Sequence, residues 1–159
     1  MQSSVGILLV HGFGGSINEV APLAAKLQQA GYMVACPTLK GHGGSPADMK
    51  SVTYQQWVAS AEEEMEQIKG CDKIFFIGFS MGGLIALQLA LKHNPAAIAT
   101  INTPVYYWSV RQILSNINHD IRSSTWHNIK RYTKAGNSLP LSAMWQFRQL
   151  LIATKKQLH

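Results

Sequence analysis

Apolar residues along the 159-residue chain follow two alternating patterns. Short β-branched and leucine-rich runs end at glycine or proline. Between them lie longer stretches whose apolar positions recur at helical spacing. The strand-like runs are Val5–Val10 (VGILLV), about Met33–Cys36, KIFFIG at 73–78, and about Ile98–Asn102. Ser16 followed by Glu19 has the form of a capping box and opens a helix with Pro22 in its first turn. That helix runs to about Ala30, where Gly31 supplies a left-handed stop. Thr53 with Gln56 opens a second helix, reaching about Ile68 and closed by Gly70. Its apolar stripe is Val58, Ala61, Met65 and Ile68. MGGLIALQLALKH is a third helix, following KIFFIG after Phe79-Ser80.

Strands that alternate with amphipathic helices predict βαβ units, hence an α/β fold with a four-stranded parallel sheet and helices on both faces. The pattern changes after Pro104. Tyr106, Tyr107, Trp108, Trp126, Tyr132, Trp145 and Phe147 gather there, and no further strand-like run occurs. Two or three helices are expected, the last from about Ser142 through Lys156. Its apolar positions are Met144, Phe147, Leu150, Leu151 and Thr154. The chain therefore divides into an α/β core at 1–103 and a helical segment at 104–159 lying above the sheet.

Composition narrows the classes. Hydrophobic content of 47% with 14% charged residues is that of a soluble globular domain. No apolar run approaches the roughly 20 residues that span a bilayer, and no signal-peptide pattern stands at the N-terminus. The expected location is cytoplasmic. Cys36 and Cys71 are too few for a disulfide framework and fit no metal spacing. The net charge of +6 is lopsided: residues 1–103 carry −1, whereas residues 104–159 carry +7, with Asp120 their only carboxylate. The cations are scattered at Arg111, Arg122, Lys130, Arg131, Lys134, Arg148, Lys155 and Lys156. Without a dense block or a base-reading motif, they describe a solvated helical face rather than a nucleic-acid site.

The chemistry centres on Gly78-Phe79-Ser80-Met81-Gly82, a G-x-S-x-G pattern set between a strand and a helix. A serine held in such a strained turn exposes its hydroxyl at the strand's C-terminal end. Side chains at positions 78 and 82 would collide where strand and helix approach. The following helix also places its positive N-terminal end beneath the serine. Acyl transfer needs two preorganised N–H donors for the oxyanion of its tetrahedral intermediate. One is the N–H of the residue after the nucleophile, Met81. The other is expected from the glycine loop His11-Gly12-Phe13-Gly14-Gly15 that ends the first strand, with the Phe13 N–H as candidate. The same loop superficially matches a dinucleotide fingerprint, but Ile17 stands where the third glycine belongs, and no acidic residue ends the second strand.

HGFGG, PTLKGHGGSP and GFSMGG together resemble the α/β-hydrolases, and more narrowly the small bacterial carboxylesterases and monoacylglycerol lipases. The similarity covers the chain nearly end to end. It implies Ser80 as nucleophile, Phe13 and Met81 as oxyanion-hole donors, and a helical cap over an acyl pocket after about Pro104. Carboxylic esters of short or medium acyl chains would be the substrates, with no cofactor and no metal. Acyltransferases and thioesterases of the same fold share every one of these features. A non-enzymatic, truncated hydrolase that binds a hydrophobic ligand or a partner through its cap is the reading from another class.

In that family the order along the chain is Ser, Asp, His, each of the last two following a further strand. Here the sequence departs from the pattern, since no strand-like segment follows the aromatic-rich stretch. His11 and His42 belong to the glycine loops, and His93 to the end of a helix leading away from Ser80. His119 and His127 flank Asp120 on the expected cap, and His159 is terminal. None is expected to serve as base, and no H-E-x-x-H spacing suggests a metal hydrolase. The expectation is a nucleophile and oxyanion hole whose Asp and His partners are missing from this chain. An open sheet edge, left where later strands would pair, is expected to favour self-association.

Overall fold

The computed structural model describes residues 4–104 and 139–158. Four strands form one sheet, β1 (Val5–Val10), β2 (Met33–Ala35), β3 (Lys73–Phe79) and β4 (Ala97–Ile101). Their order is β2-β1-β3-β4, and every pairing is parallel. The helices are α1 (Ala21–Gln29), α2 (Tyr54–Met65), α3 (Met81–His93) and α4 (Leu141–Gln157). The four strand-like runs of the sequence are therefore the four strands, with ends displaced by a residue at β2, β3 and β4.

Alternation along the strands divides the interior into two cores. Leu8, Val10 and Phe76 face α2, α3 and α4, where Trp57, Ala61, Met65, Leu84, Ile85, Leu89, Leu150 and Leu151 join them. Ile7 and Leu9 face the other way, against Val20 and Ala24 at α1. Trp57, fully buried, is the largest side chain of the first core and was absent from the expected stripe of α2. Its position is one residue before Val58, which is half-buried. α2 ends at Met65 and continues to Ile68 as a single 3-10 turn. Gln56 Oε1 accepts from the Thr53 N–H at 2.9 Å, as the capping-box reading of that pair requires.

At the first helix the expectation fails. Ile17–Glu19 is a separate 3-10 turn, and α1 begins only at Ala21 with Pro22 in its first turn. Ser16 Oγ accepts from the Asn18 N–H, but the Glu19 carboxylate does not turn back to Ser16. It reaches the Gly12 N–H instead, at 3.1 Å. Gly31 adopts φ +91°, the left-handed stop expected of it.

Strand order places the site. The chain leaves β1 toward β2 on one side and returns to build β3 on the other side of β1. The loops after β1 and β3 therefore diverge from adjacent strand ends, opening the crevice where ligands bind in open α/β sheets. Those loops are residues 11–15 and the turn at Ser80. No helix among the described residues is long and apolar enough to cross a membrane. The aromatic-rich stretch expected to form the cap lies outside the described residues, apart from α4.

Candidate active site

Ser80 sits at φ +51° and ψ −118° between β3 and α3. A non-glycine residue in that region is strained by about 1–3 kcal/mol, and such strain persists only where the surroundings enforce it. Here the Ser80 N–H donates to Ile101 O at the end of β4 (2.8 Å), while its carbonyl accepts from the Gly83 N–H (3.1 Å). The flanking glycines close the cage. A Cβ on Gly78 would strike the backbone of Gly82 and Gly83, and one on Gly82 would strike the carbonyls of Val10 and His11. Neither obstacle can move aside, so the two glycines are steric requirements of the turn.

Phe13 and Met81 belong to the two segments that meet at this serine, the loop after β1 and the start of α3. Met81 is the first residue of α3, fully buried, with its N–H among those that no helical carbonyl can satisfy. Phe13 belongs to the loop after β1, whose Gly12 touches the serine directly: a Cβ on Gly12 would lie 3.3 Å from Ser80 Cβ. Neither the Phe13 nor the Met81 N–H has a hydrogen-bond partner among the described residues. The structure thus sets Ser80 and Met81 at the junction of β3 and α3, with the loop that carries Phe13 against them across Gly12.

The Phe13 ring is fixed from three directions. It stacks on Phe147 of α4 (centroids 5.1 Å, planes 13° apart) and meets Trp57 of α2 at 5.8 Å and His42 at 6.2 Å. Contacts of this kind contribute about 0.5–1.5 kcal/mol each beyond area burial. A cavity of about 220 Å³ opens beside it, lined by Gly14, Gly41, His42, Ser45 and Leu139 as well as Phe13 itself.

Both loop histidines are buried and held neutral. Burial lowers the His11 pKa, outweighing its hydrogen bond to Gly12 and the nearby Glu19 charge. His42 is lowered further, to about 4, again chiefly by burial. His42 Nδ1 bonds Lys40 O at 3.2 Å, while its Nε2 and the Trp57 Nε1–H are buried without partners among the described residues. His93 pairs with Glu62 at 2.6 Å, tying α3 to α2 beside Lys92. No hydrogen bond to the Ser80 hydroxyl forms among the described residues. His119, Asp120 and His127 lie outside the described residues. No group of three or more His, Cys, Asp or Glu is set to hold a metal among the described residues.

Glu19 is the site residue that sequence reasoning missed. Its S-x-x-E spacing reads as a cap, but Gly12 and Gly15, both without side chains, leave room for the carboxylate to return to the loop.

A strained serine at a strand–helix junction, faced by a glycine loop from the adjacent strand, is the frame of a nucleophile elbow. The chain belongs to the alpha/beta hydrolase fold family, whose model matches residues 6–114. It is 36% identical to the thermostable monoacylglycerol lipase of Bacillus sp. (strain H-257), over 97% of this chain and 64% of that protein. It is 32% identical to a carboxylesterase of Bacillus subtilis (strain 168), over 63% of this chain and 42% of the relative. Among solved structures, one from a study of the metagenome-derived lipolytic enzymes LipS and LipT superposes with a TM-score of 0.64 at 35% identity. That match covers 71% of this chain and 47% of the other. The chain thus spans less than two-thirds of the length of these relatives, which are lipases and esterases.

Proposed function

We propose that this chain carries the nucleophile and oxyanion hole of a serine hydrolase acting on carboxylic esters of short or medium acyl chains. The observation that carries the proposal is the Ser80 backbone at φ +51°, enforced by Gly78 and Gly82 and faced across Gly12 by the Phe13 loop. Relatives named for lipase and carboxylesterase activity support the substrate class.

In this reading Ser80 Oγ attacks the ester carbonyl carbon while a base takes its proton. The carbonyl oxygen becomes an oxyanion that accepts from the Phe13 and Met81 N–H groups. Collapse expels the alcohol, which recovers the proton, and leaves an acyl-enzyme. Water, activated by the same base, then releases the acid and restores Ser80. The N-terminal end of α3 adds positive partial charge where the oxyanion forms. The base and its acidic partner come from outside the described residues, because His11, His42 and His93 are each engaged elsewhere.

Chemical rescue tests this reading. Hydrolysis of p-nitrophenyl butyrate by the chain is measured against Ser80→Ala over a range of added imidazole, which can act as the general base. The expected result is imidazole-dependent turnover at least about tenfold above the variant. Rates indistinguishable from Ser80→Ala at every imidazole concentration would overturn it.

A further inference from the structure

The loop that supplies Phe13 begins with a histidine that the proposed reaction does not use. We infer that His11 is a positioning residue that aims the Phe13 N–H into the oxyanion hole. The inference rests on the reading of Phe13 as an oxyanion donor.

His11 is fully buried at the C-terminal side of β1. The Leu39 N–H points at its Nε2 at 3.4 Å, and its Nδ1 lies 2.9 Å from Gly12 O. A backbone N–H can only donate, so Nε2 is the bare nitrogen. The neutral ring then carries its proton on Nδ1, which donates to the Gly12 carbonyl. Gly12 O accepts a second hydrogen bond from the Gly15 N–H at 3.3 Å.

That carbonyl belongs to the same planar unit as the Phe13 N–H. No cis peptide occurs among the described residues, so within this unit the C=O and N–H point in opposite directions. Two donors that fix the carbonyl therefore fix the direction of the N–H. Among the described residues the Phe13 N–H is left without a partner, directed away from the His11 ring. Glu19 completes the arrangement from the other side. By accepting from the Gly12 N–H at 3.1 Å, it sets the preceding peptide plane as well.

The role requires one tautomer, and burial supports it by keeping the ring uncharged. An imidazolium would present a second N–H to the Leu39 N–H, donor against donor. His11 also meets the His42 ring at 5.3 Å, so the glycine loop after β2 packs on the same support.

The test has two parts. In the full chain labelled with ¹⁵N, a two-bond proton–nitrogen correlation spectrum reads the His11 tautomer directly at neutral pH. A protonated Nδ1 with a bare Nε2 is expected. An Nε2–H tautomer, or a doubly protonated ring, would overturn the inference. This readout needs no turnover, so it stands even if the ester chemistry fails. The second part compares His11→Leu with His11→Asn in the imidazole-supported assay, because an Asn side-chain amide places an N–H close to the Nδ1 position. Loss of an aimed oxyanion donor predicts kcat about 100-fold lower in His11→Leu, with KM within about twofold. His11→Asn should recover at least about tenfold of that loss. Unchanged kcat in His11→Leu, or a folded His11→Asn no better than His11→Leu, would overturn the positioning role. If the unaltered chain shows no turnover beyond Ser80→Ala, the ester reading fails and the tautomer spectrum alone decides.

Discussion

At the centre of the sheet, β1 and β3 end in turns packed so closely that Gly78 and Gly82 have no room for a methyl group. One strand further out, all five residues of β4 are exposed. On the face away from α3, a cavity of about 440 Å³ opens between β1, β3 and β4, lined by Ile7, Tyr32, Phe75, Ile77 and Ala99. The difference shows where position matters. Around Ser80 the Phe13 ring and the Gly12 and Ser80 N–H groups are each held by a neighbour from a different element, whereas β4 is held by its ladder to β3, its contacts with α3 and its hydrogen bond to the Ser80 N–H. The strain of the serine turn is sustained by the central glycines and by one hydrogen bond from the end of β4, whereas the exposed side chains of β4 tolerate change.

The harshest way to break that contrast is a methyl group at the centre. Gly82→Ala drives a Cβ into the Val10 and His11 carbonyls. It should destabilise the fold by more than about 4 kcal/mol, seen as a collapse of the urea midpoint. Trp57→Ala removes the largest buried side chain, which also supports the Phe13 ring. A loss of about 3–4 kcal/mol is expected in the same measurement.

Acid should weaken the centre through its two buried histidines. His11 and His42 are neutral in the folded protein, with pKa values below the ordinary 6.5, about 4 for His42. Between those values the unfolded chain binds more protons than the folded one. Stability is therefore full above about pH 6.5, falls as the pH drops, and levels off only below the folded pKa values. For His42 the loss amounts to about 3 kcal/mol by pH 4. Denaturant titrations across this range should show the slope, and His42→Phe should flatten it. A slope unchanged in the variant would assign the acid sensitivity to other groups. The smallest effect belongs to the edge. Ile98→Ser on β4 should change unfolding free energy by less than about 1 kcal/mol. A larger loss would mean that the edge carries more of the fold than its exposure suggests.

Much of this was legible in the sequence because local rules and tertiary packing agreed. KIFFIG followed after only Phe79-Ser80 by MGGLIALQLALKH marks both the strand–helix junction and the serine within it. The Thr53–Gln56 cap and the Gly31 stop behaved as their local chemistry predicts. Two readings went astray where a distant partner outbid a local one. Glu19 prefers the Gly12 N–H, seven residues back, to the near end of its own helix. Trp57 displaces Val58 from the centre of the helix stripe, because the pocket under Phe13 takes an aromatic ring. The cap expected after Pro104 lies outside the described residues, apart from α4.

The central claim is that the Phe13 and Met81 N–H groups converge on one oxyanion above Ser80. A crystal structure of the chain soaked with butylboronic acid tests it most directly, since a serine adds to boron to give a tetrahedral, negatively charged adduct. The account predicts a bond from Ser80 Oγ to boron, with one boronate oxygen about 2.7–3.1 Å from both nitrogens. A boronate bound to Ser80 with that oxygen turned toward solvent, or no adduct at Ser80, would contradict it.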